Sequence, residues 1–179
     1  LSLTAKHIYA KARNMGFVCA VGAVSSGLQK LIMLPGPTNV HPRIMRAMLK
    51  PMINHRGPDF YELYSRILDR AKRVFQTKGD VFVLTCSGTG GVDCSIGNVV
   101  AEGDKVVVPI FGLFGERMRD VVLRHGGVPI EIRKEWGEGL SAAEVEDVLK
   151  RERDVKAIAL VCNETSTGVC VRELKDIGR

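Results

Sequence analysis

The sequence predicts an α/β protein built on a mostly parallel sheet with helices on both faces. Apolar runs of five to eight residues alternate along the chain with longer segments whose apolar residues recur at helical spacing. Because a strand buried on both faces is continuously apolar, these runs favour a sheet that helices cover on each side. The chain has 179 residues, of which 45% are hydrophobic and 26% charged, so it can bury a core without disulfide or metal support.

The apolar runs and periodic segments predict four strands and five helices. The strands are expected at 80–85, 105–110, 128–132 and 155–162. The helices are expected at 42–49, 59–76, 88–101, 115–124 and 141–151. The helix over 59–76 has the clearest apolar face. Ser141 and Glu144 have the spacing of a capping box, which predicts where the last helix begins.

Composition and charge exclude several classes of protein. The net charge of +6 arises in residues 1–58, which contain eight Lys and Arg and no acidic residue. These basic residues are scattered rather than clustered, so we expect no nucleic-acid partner. No apolar run reaches the roughly 18 residues of a membrane span, so we expect no membrane partner. The four histidines are isolated, which predicts no metal site.

Residues 1–30 are predicted to be an N-terminal extension of uncertain origin, separate from a domain at 31–179. Their order of basic, apolar and small residues is typical of a signal peptide, and their lack of acids also suits an organellar presequence. An unrelated extension remains the favoured alternative. The five cysteines contain no C-x-x-C pair, which predicts reduced cysteines in the core of a cytoplasmic protein. The location would be organellar if residues 1–30 are a targeting segment.

A turn of small residues at 85–91 (Thr-Cys-Ser-Gly-Thr-Gly-Gly) joins a predicted strand to a predicted helix. The free amides and positive dipole end of a helix N-terminus favour an anion, so the turn predicts a phosphate cradle. No Gly-Lys-Ser/Thr follows, Asp93 replaces the third glycine of a dinucleotide fingerprint, and Thr85 replaces the first glycine of a nucleophile elbow. An ordinary glycine-rich turn remains the alternative.

Two further turns follow predicted strands on the same edge of the sheet, where ligands bind in such folds. At 112–115, glycines flank Leu113 and Phe114, whose ring could stack on a flat ligand or staple the start of a helix. At 163–168, five polar side chains in a row follow an apolar strand, which suits either a ligand-facing loop or a capped turn.

Together these turns resemble the class V, fold-type I aminotransferases that use pyridoxal phosphate. The resemblance is to their alanine–glyoxylate and serine–glyoxylate (serine–pyruvate) branch, and it covers about residues 31–179. The matching motifs occur in the family's order at 35–40, 55–60, 75–77, 87–90, 112–117, 136–137 and 164–168. One such motif alone would be weak evidence, whereas seven in register are specific. The fold implied is the large domain of that fold type.

The resemblance implies how the chain would hold pyridoxal 5'-phosphate. The backbone and hydroxyls of Ser87, Gly88 and Thr89 would bind the cofactor's phosphate. Phe114 would stack on the pyridine ring, and Thr165 would lie near its phenolic oxygen.

The resemblance also implies substrate contacts and a homodimer. Gly36 would line the pocket for the substrate carboxylate. His55 and Arg56 would lie near the active site at a dimer interface, with a solvated loop as their alternative. The lysine that forms the Schiff base, and the aspartate that pairs with the pyridine nitrogen, are expected beyond Arg179. We therefore expect a fragment that contains no catalytic residue of its own.

The activity implied is transfer of an amino group from a small amino acid, alanine or serine, to a 2-oxo acid such as glyoxylate or pyruvate. Alternatives are a class V lyase, such as a cysteine desulfurase or kynureninase, and a non-catalytic truncated product. A nucleotide-binding domain is disfavoured by the failed glycine fingerprint. The chain by itself is expected to be inactive, and sustained turnover of alanine and glyoxylate with pyridoxal phosphate would contradict this.

Overall fold

The computed structural model describes residues 30–179, in which six helices and five strands occur. The predictions made for residues 1–29 lie outside the described residues. Contacts divide the chain into two units, Leu1–Phe60 and Tyr61–Arg179, and each is described by itself. In the described part of the chain, no helix is both long enough and apolar enough to cross a membrane.

The described part of the first unit is a loop followed by short helical structure. Helix α1 (Pro42–Met48) begins after His41, whose Nδ1 accepts a hydrogen bond from the amide of Arg43 at 3.1 Å. Helix α2 (Pro58–Phe75) starts in this unit and continues into the second. Its first residue is proline, whose fixed φ suits that position and whose missing donor is not needed there. Both helices confirm the sequence prediction within one residue at each end.

The second unit contains a three-stranded parallel sheet. Strand β1 (Lys105–Ile110) lies in the centre, between β2 (Val128–Arg133) and β3 (Val155–Ile158). The helices of this unit are α3 (Gly88–Gly97), α4 (Leu113–Arg124), α5 (Ala142–Arg151) and α6 (Leu174–Ile177). Strands β4 (Asn163–Glu164) and β5 (Val169–Cys170) form a separate antiparallel pair. The parallel sheet with connecting helices confirms the predicted α/β class.

Two apolar clusters make the core of this unit. Alternate residues of β1, including Val106 and Val108, pack with Ile96 of α3 and Val121 of α4. The second cluster contains Phe111, Leu140, Val145 and Val171, none of which belongs to α3 or α4. Because successive side chains of a strand point to opposite faces, a central strand that is buried throughout needs cover on both sides. The continuous apolar run of β1 suits a strand that is covered on both faces.

The predicted strand at 80–85 is wrong, because this segment forms no strand in the structure. Its apolar side chains are largely exposed, with Phe82 at 80% and Val83 at 50%. A strand needs a neighbour to accept and donate its backbone hydrogen bonds, and no described segment pairs with this one. Apolar composition alone was therefore not sufficient evidence for a strand here.

Several other boundaries and environments also differ from prediction. Helix α3 ends at Gly97 because Asn98 caps it, its side-chain amide donating to the carbonyl oxygen of Cys94 at 2.7 Å. Helix α4 begins two residues earlier than expected, and β3 ends at Ile158 rather than 162. The cysteines were predicted to be buried, but the thiols at 86, 94 and 170 are exposed and the one at 162 is half-buried.

The close approach of α4 to β1 depends on Gly115. A Cβ at this position would lie 2.9 Å from the Cα of Ile110 and 3.0 Å from the carbonyl oxygen of Pro109, both backbone atoms. We expect Gly115→Ala to lower the free energy of unfolding by about 1–3 kcal/mol, because the helix must shift away from the strand. Urea denaturation followed by circular dichroism would measure the change.

Gly91 provides the matched control for this prediction. It also lies inside a helix, but a Cβ there would have no atom within 4 Å. We expect Gly91→Ala to raise the free energy of unfolding by about 0.5–1 kcal/mol through helix propensity alone. Equal effects of the two substitutions would contradict the role given to Gly115.

The start of α5 predicts a pH dependence of stability. Ser141 and Glu144 form the predicted capping box, and Lys134 Nζ donates to Glu144 at 2.6 Å. The hydrogen bond from Lys134, together with the amide and hydroxyl of Ser141, lowers the pKa of Glu144 to about 2. The ionised carboxylate is therefore favoured by folding, and its contribution is complete above the ordinary glutamate pKa near 4.5.

We expect Glu144→Gln to cost on the order of 1–2 kcal/mol at pH 7, a value discounted because the side chain is 37% exposed. The difference from the unsubstituted protein should shrink between pH 4.5 and pH 2, as the native carboxylate becomes protonated. Glu146→Gln, which removes only an exposed pairing with Lys150, is the control, and it should cost less than about 0.5 kcal/mol. A difference that persists unchanged at pH 2 would refute the assignment.

Candidate functional site

The first turn of α3 presents unpaired donors to its surroundings. Ser87 is the N-cap residue, yet its side chain makes no capping hydrogen bond. Gly88 and Thr89 occupy the first two helical positions, whose amides have no acceptor within the helix. No acidic residue lies in this turn, and a Cβ on Gly88 would point into open space. The turn therefore offers amides, hydroxyls and the positive end of a helix dipole to an anion, as the chemistry of a phosphate group requires.

The shape of this turn depends on Gly90. A Cβ at that position would lie 2.7 Å from the Cβ of Cys86 and 2.8 Å from its sulfur atom. The amide of Gly90 donates to the carbonyl oxygen of Ser87 at 2.9 Å, which closes the turn. Only glycine lets the chain approach Cys86 so closely at this position.

Arg117 brings the anion turn and the predicted stacking ring together. Its Nη1 donates to Thr89 Oγ1 at 3.2 Å, and its guanidinium carbon lies 5.1 Å from the centroid of the Phe114 ring. Phe114 is half-buried in the first turn of α4, and a separation of three residues places Arg117 on the same helix face. No role was predicted for Arg117, although its three-residue spacing from Phe114 is a signal that could have found it.

A buried carboxylate joins the polar loop at 163–168 to the start of α4. Glu164 is 1% exposed, and its Oε2 accepts a hydrogen bond from the amide of Gly115 at 2.9 Å. Its Oε1 accepts from the hydroxyl of Ser166 at 2.6 Å and from the amide of that residue at 3.2 Å. The hydroxyl of Ser166 in turn accepts from the amide of Leu113 at 2.9 Å. The acceptors for the first turn of α4 thus come from a loop about fifty residues away in the chain.

The hydrogen bonds that Glu164 and Ser166 accept from the start of α4, here called the Glu164 clamp, also constrain neighbouring residues. A Cβ on Gly112 would collide with the side chain of Glu164 and lie 2.6 Å from Ser166 Oγ, so a larger residue cannot occupy that position. Thr167 Oγ1 donates to the carbonyl oxygen of Phe111 at 3.1 Å and adds a second contact. Thr165, between these anchored residues, is exposed and makes no hydrogen bond to another described residue. Its hydroxyl is therefore available to a ligand.

The residues predicted to contact substrate lie in the first unit. Gly36 is exposed, in a loop that Asn39 holds by accepting from the amide of Ile32 at 2.7 Å. His55 and Arg56 are exposed in a turn that begins at Asn54. The structure places each of them in an accessible loop, and their contribution to a substrate site remains a prediction. Within residues 30–179, no group of three His, Cys, Asp or Glu could hold a metal ion.

Comparison with known proteins gives several sequence relatives. The chain is 40% identical over 151 residues to an uncharacterized aminotransferase of Methanocaldococcus jannaschii, covering 84% of this chain and 39% of that protein. It is 37% identical over 141 residues to a serine–glyoxylate aminotransferase of Methylorubrum extorquens, covering 77% and 35%. It is 35% identical over 144 residues to an L-aspartate–glyoxylate aminotransferase of Paracoccus denitrificans, covering 79% and 36%. No family model matches the chain.

Solved structures lead to the same group of proteins. An aspartate aminotransferase of subgroup IV from Thermus thermophilus superimposes with a TM-score of 0.77 at 29% identity, covering 84% of this chain and 41% of that one. An alanine–glyoxylate aminotransferase from Nostoc sp. superimposes with a TM-score of 0.75 at 33% identity, covering 83% and 40%.

The fold is therefore that of a fold-type I pyridoxal-phosphate transferase. Within that class, the resemblance to the class V alanine–glyoxylate and serine–glyoxylate aminotransferases is confirmed for the N-terminal part of those proteins. The chain spans less than half the length of the relatives and solved structures that it matches.

The Glu164 clamp predicts that replacing this carboxylate by an amide greatly lowers the free energy of unfolding. Glu164→Gln keeps the shape but turns one of the two acceptor oxygens into a donor, which then faces an amide or a hydroxyl that donates. We expect the free energy of unfolding to fall by about 2–4 kcal/mol, because buried donors lose a charged acceptor. Equilibrium unfolding in urea would measure the loss.

Glu173→Gln is the matched control. Glu173 also accepts from a helix-start amide, that of Ala142 at 2.8 Å, but it is exposed. Water can replace its hydrogen bond, so we expect a loss below about 1 kcal/mol. If both substitutions cost the same, burial of Glu164 is not what makes it important.

Proposed function

We propose that the protein carrying this chain is a pyridoxal-phosphate-dependent aminotransferase that moves an amino group from a small amino acid to a 2-oxo acid. The observation that supports it best is the first turn of α3, which has unpaired donors. One side chain, Arg117, contacts both Thr89 in this turn and the aromatic ring of Phe114. A phosphate cradle and a stacking surface that contact the same arginine suit a cofactor that has a phosphate ester on an aromatic ring. The sequence relatives support the reaction class.

Ser87, Gly88 and Thr89 are the residues proposed to hold the cofactor phosphate. The amides of the first turn would donate to its oxygens, and the two hydroxyls would add donors of their own. The absence of an acidic residue in this turn leaves the helix dipole uncompensated by the protein. When bound, the cofactor supplies an electron-withdrawing ring that stabilises negative charge at the substrate's α-carbon.

Phe114 and Thr165 are proposed to contact the cofactor ring. Phe114 would provide a flat apolar surface that fixes the plane of the ring. Thr165 has a free hydroxyl that could hydrogen-bond to the ring's phenolic oxygen. Their separation is set by Glu164, because that carboxylate anchors Gly115 on one side and the loop of Thr165 on the other. The chain's own contribution is thus to bind and orient the ring.

The substrates are proposed from the relatives. The named donors of the sequence relatives differ, being serine and aspartate, whereas both names share glyoxylate. Glyoxylate is therefore the proposed acceptor, with pyruvate as a second 2-oxo acid to test, and alanine or serine as donor. Gly36, His55 and Arg56 are the proposed substrate-binding residues, in a homodimer.

Cofactor binding can be tested through the hydroxyls of the first turn. We expect the double variant Ser87→Ala, Thr89→Val to bind pyridoxal 5'-phosphate about 10–100-fold more weakly, because each lost hydrogen bond to a charged group costs about 1.5–3 kcal/mol and backbone donors partly compensate. Titration followed by absorbance in the visible range would give the dissociation constants. Ser95→Ala is the control, since Ser95 is exposed on the same helix and bonds only to the carbonyl oxygen of Gly91.

The reaction itself is tested on the full-length protein that carries this chain, incubated with the cofactor and either alanine or serine with glyoxylate, or serine with pyruvate. Formation of glycine or alanine in proportion to the loss of donor would support amino transfer. Formation of alanine from cysteine or kynurenine without consumption of a 2-oxo acid would favour the lyase alternative instead. Failure of the unsubstituted protein to bind the cofactor would refute the proposal as a whole.

A further inference from the structure

Arg117 is a cation at the anion turn for which the described residues provide no carboxylate. Among residues 30–179, no ion pair joins its guanidinium to an acidic side chain, and the side chain is exposed. The acid beside it, Glu116, is already paired with Arg119 and Arg133, each at 2.8 Å. Asp93, the acid of α3, is paired with Arg124 and His125 at the other end of α4.

The contacts that Arg117 does make lie on two of the proposed cofactor residues. It donates to Thr89 Oγ1, so that oxygen already serves as an acceptor and its own O–H proton is left for a different acceptor. The same guanidinium lies over the Phe114 ring at 5.1 Å. A single planar group thus touches the hydroxyl at the cradle and the ring that would stack on the cofactor.

We propose that Arg117 is a positioning residue of the phosphate site, which directs the Thr89 hydroxyl towards a phosphate oxygen and fixes the Phe114 ring relative to the first turn of α3. This inference rests on the proposed cofactor site and adds to it a residue with a defined task. A hydroxyl that accepts from arginine is a better donor to an anion, because hydrogen bonds in a chain polarise one another. The positive charge itself also favours a phosphate dianion over a neutral ligand.

The test compares two ligands that differ only in the phosphate group, pyridoxamine 5'-phosphate and pyridoxamine. Neither has an aldehyde, so neither reacts with surface lysines. Isothermal titration calorimetry gives both dissociation constants, and their ratio measures the preference for the phosphate ester. We expect Arg117→Gln to reduce this ratio about tenfold or more, since a hydrogen bond or charge contact to phosphate contributes about 1.5–3 kcal/mol.

Three further variants separate positioning from general damage. Thr89→Val should reduce the ratio as well, and adding Arg117→Gln to it should reduce the ratio less than Arg117→Gln does in the unsubstituted protein, because part of the arginine's effect acts through that hydroxyl. Arg117→Lys keeps the charge but loses the planar fork, so we expect it to recover part of the preference. Arg124→Gln removes a positive charge from the far end of the same helix and should leave the ratio unchanged.

Each outcome decides a different claim. If the unsubstituted protein prefers the phosphate ester and Arg117→Gln prefers it equally, the role of Arg117 is refuted while the cofactor site stands. If the variant weakens both ligands by the same factor, the arginine is structural and the inference also fails. If the glutamine variant does not fold, the ratio in Arg117→Lys decides, and a value equal to that of the unsubstituted protein refutes positioning. If the unsubstituted protein shows no preference for the phosphate ester, the proposed site and this inference both fail.

Discussion

The carboxylate of Glu164 fixes the relative positions of two loops that would otherwise be independent. It lies at 1% exposure between the polar loop at 163–168 and the start of α4, and it accepts hydrogen bonds from both. An ionised group is costly to bury unless donors surround it, and here amides and a hydroxyl do so. The helix gains as well, because its first amides find acceptors and its dipole meets a negative charge. The backbone segments that contain Phe114 and Thr165 are consequently joined through one carboxylate.

This clamp is possible because of how parallel strands are connected. Strands β1 and β3 are adjacent and parallel, so the chain leaves both at the same edge of the sheet. The residues after β1 enter α4, and those after β3 lead into the loop that holds Glu164. Two segments separated by about fifty residues are thereby brought within hydrogen-bond distance by the topology. Gly112 and Gly115 then allow the close approach, since a Cβ on either would meet neighbouring atoms.

Much of this arrangement could be predicted from the sequence, and the exceptions have physical causes. The apolar runs of β1 and β2 and the capping box at Ser141 depend on local patterns, and these predictions are confirmed. The run at 80–85 is also mostly apolar, but a strand needs a neighbouring strand, and pairing is not a local property. Cys86 and Cys94 were expected in the core for the same reason, yet they are exposed.

The motifs of the candidate site can be found in the sequence, whereas the side-chain contacts between them cannot. Ser87, Gly88 and Thr89 are recognisable because a helix start after small residues has a defined chemistry. The contact between Arg117 and Thr89 joins residues 28 positions apart, and it exists only because α3 and α4 pack together. Sequence spacing could relate Arg117 to Phe114, which lies one turn away, but not to α3. Long-range side-chain contacts of this kind require the fold to be known first.

The distribution of charge around the two helices favours an anion at the start of α3. Glu116, Asp93 and Glu164 are the acids closest in the chain to the site residues, and each is held by other partners. Carboxylates that are already paired do not compete with an incoming phosphate for the first-turn amides. The hydrogen bond between Arg133 and Glu116 raises the pKa of Arg133. Positive potential is therefore left at Arg117 and at the helix start together, and a dianion placed there would neutralise both.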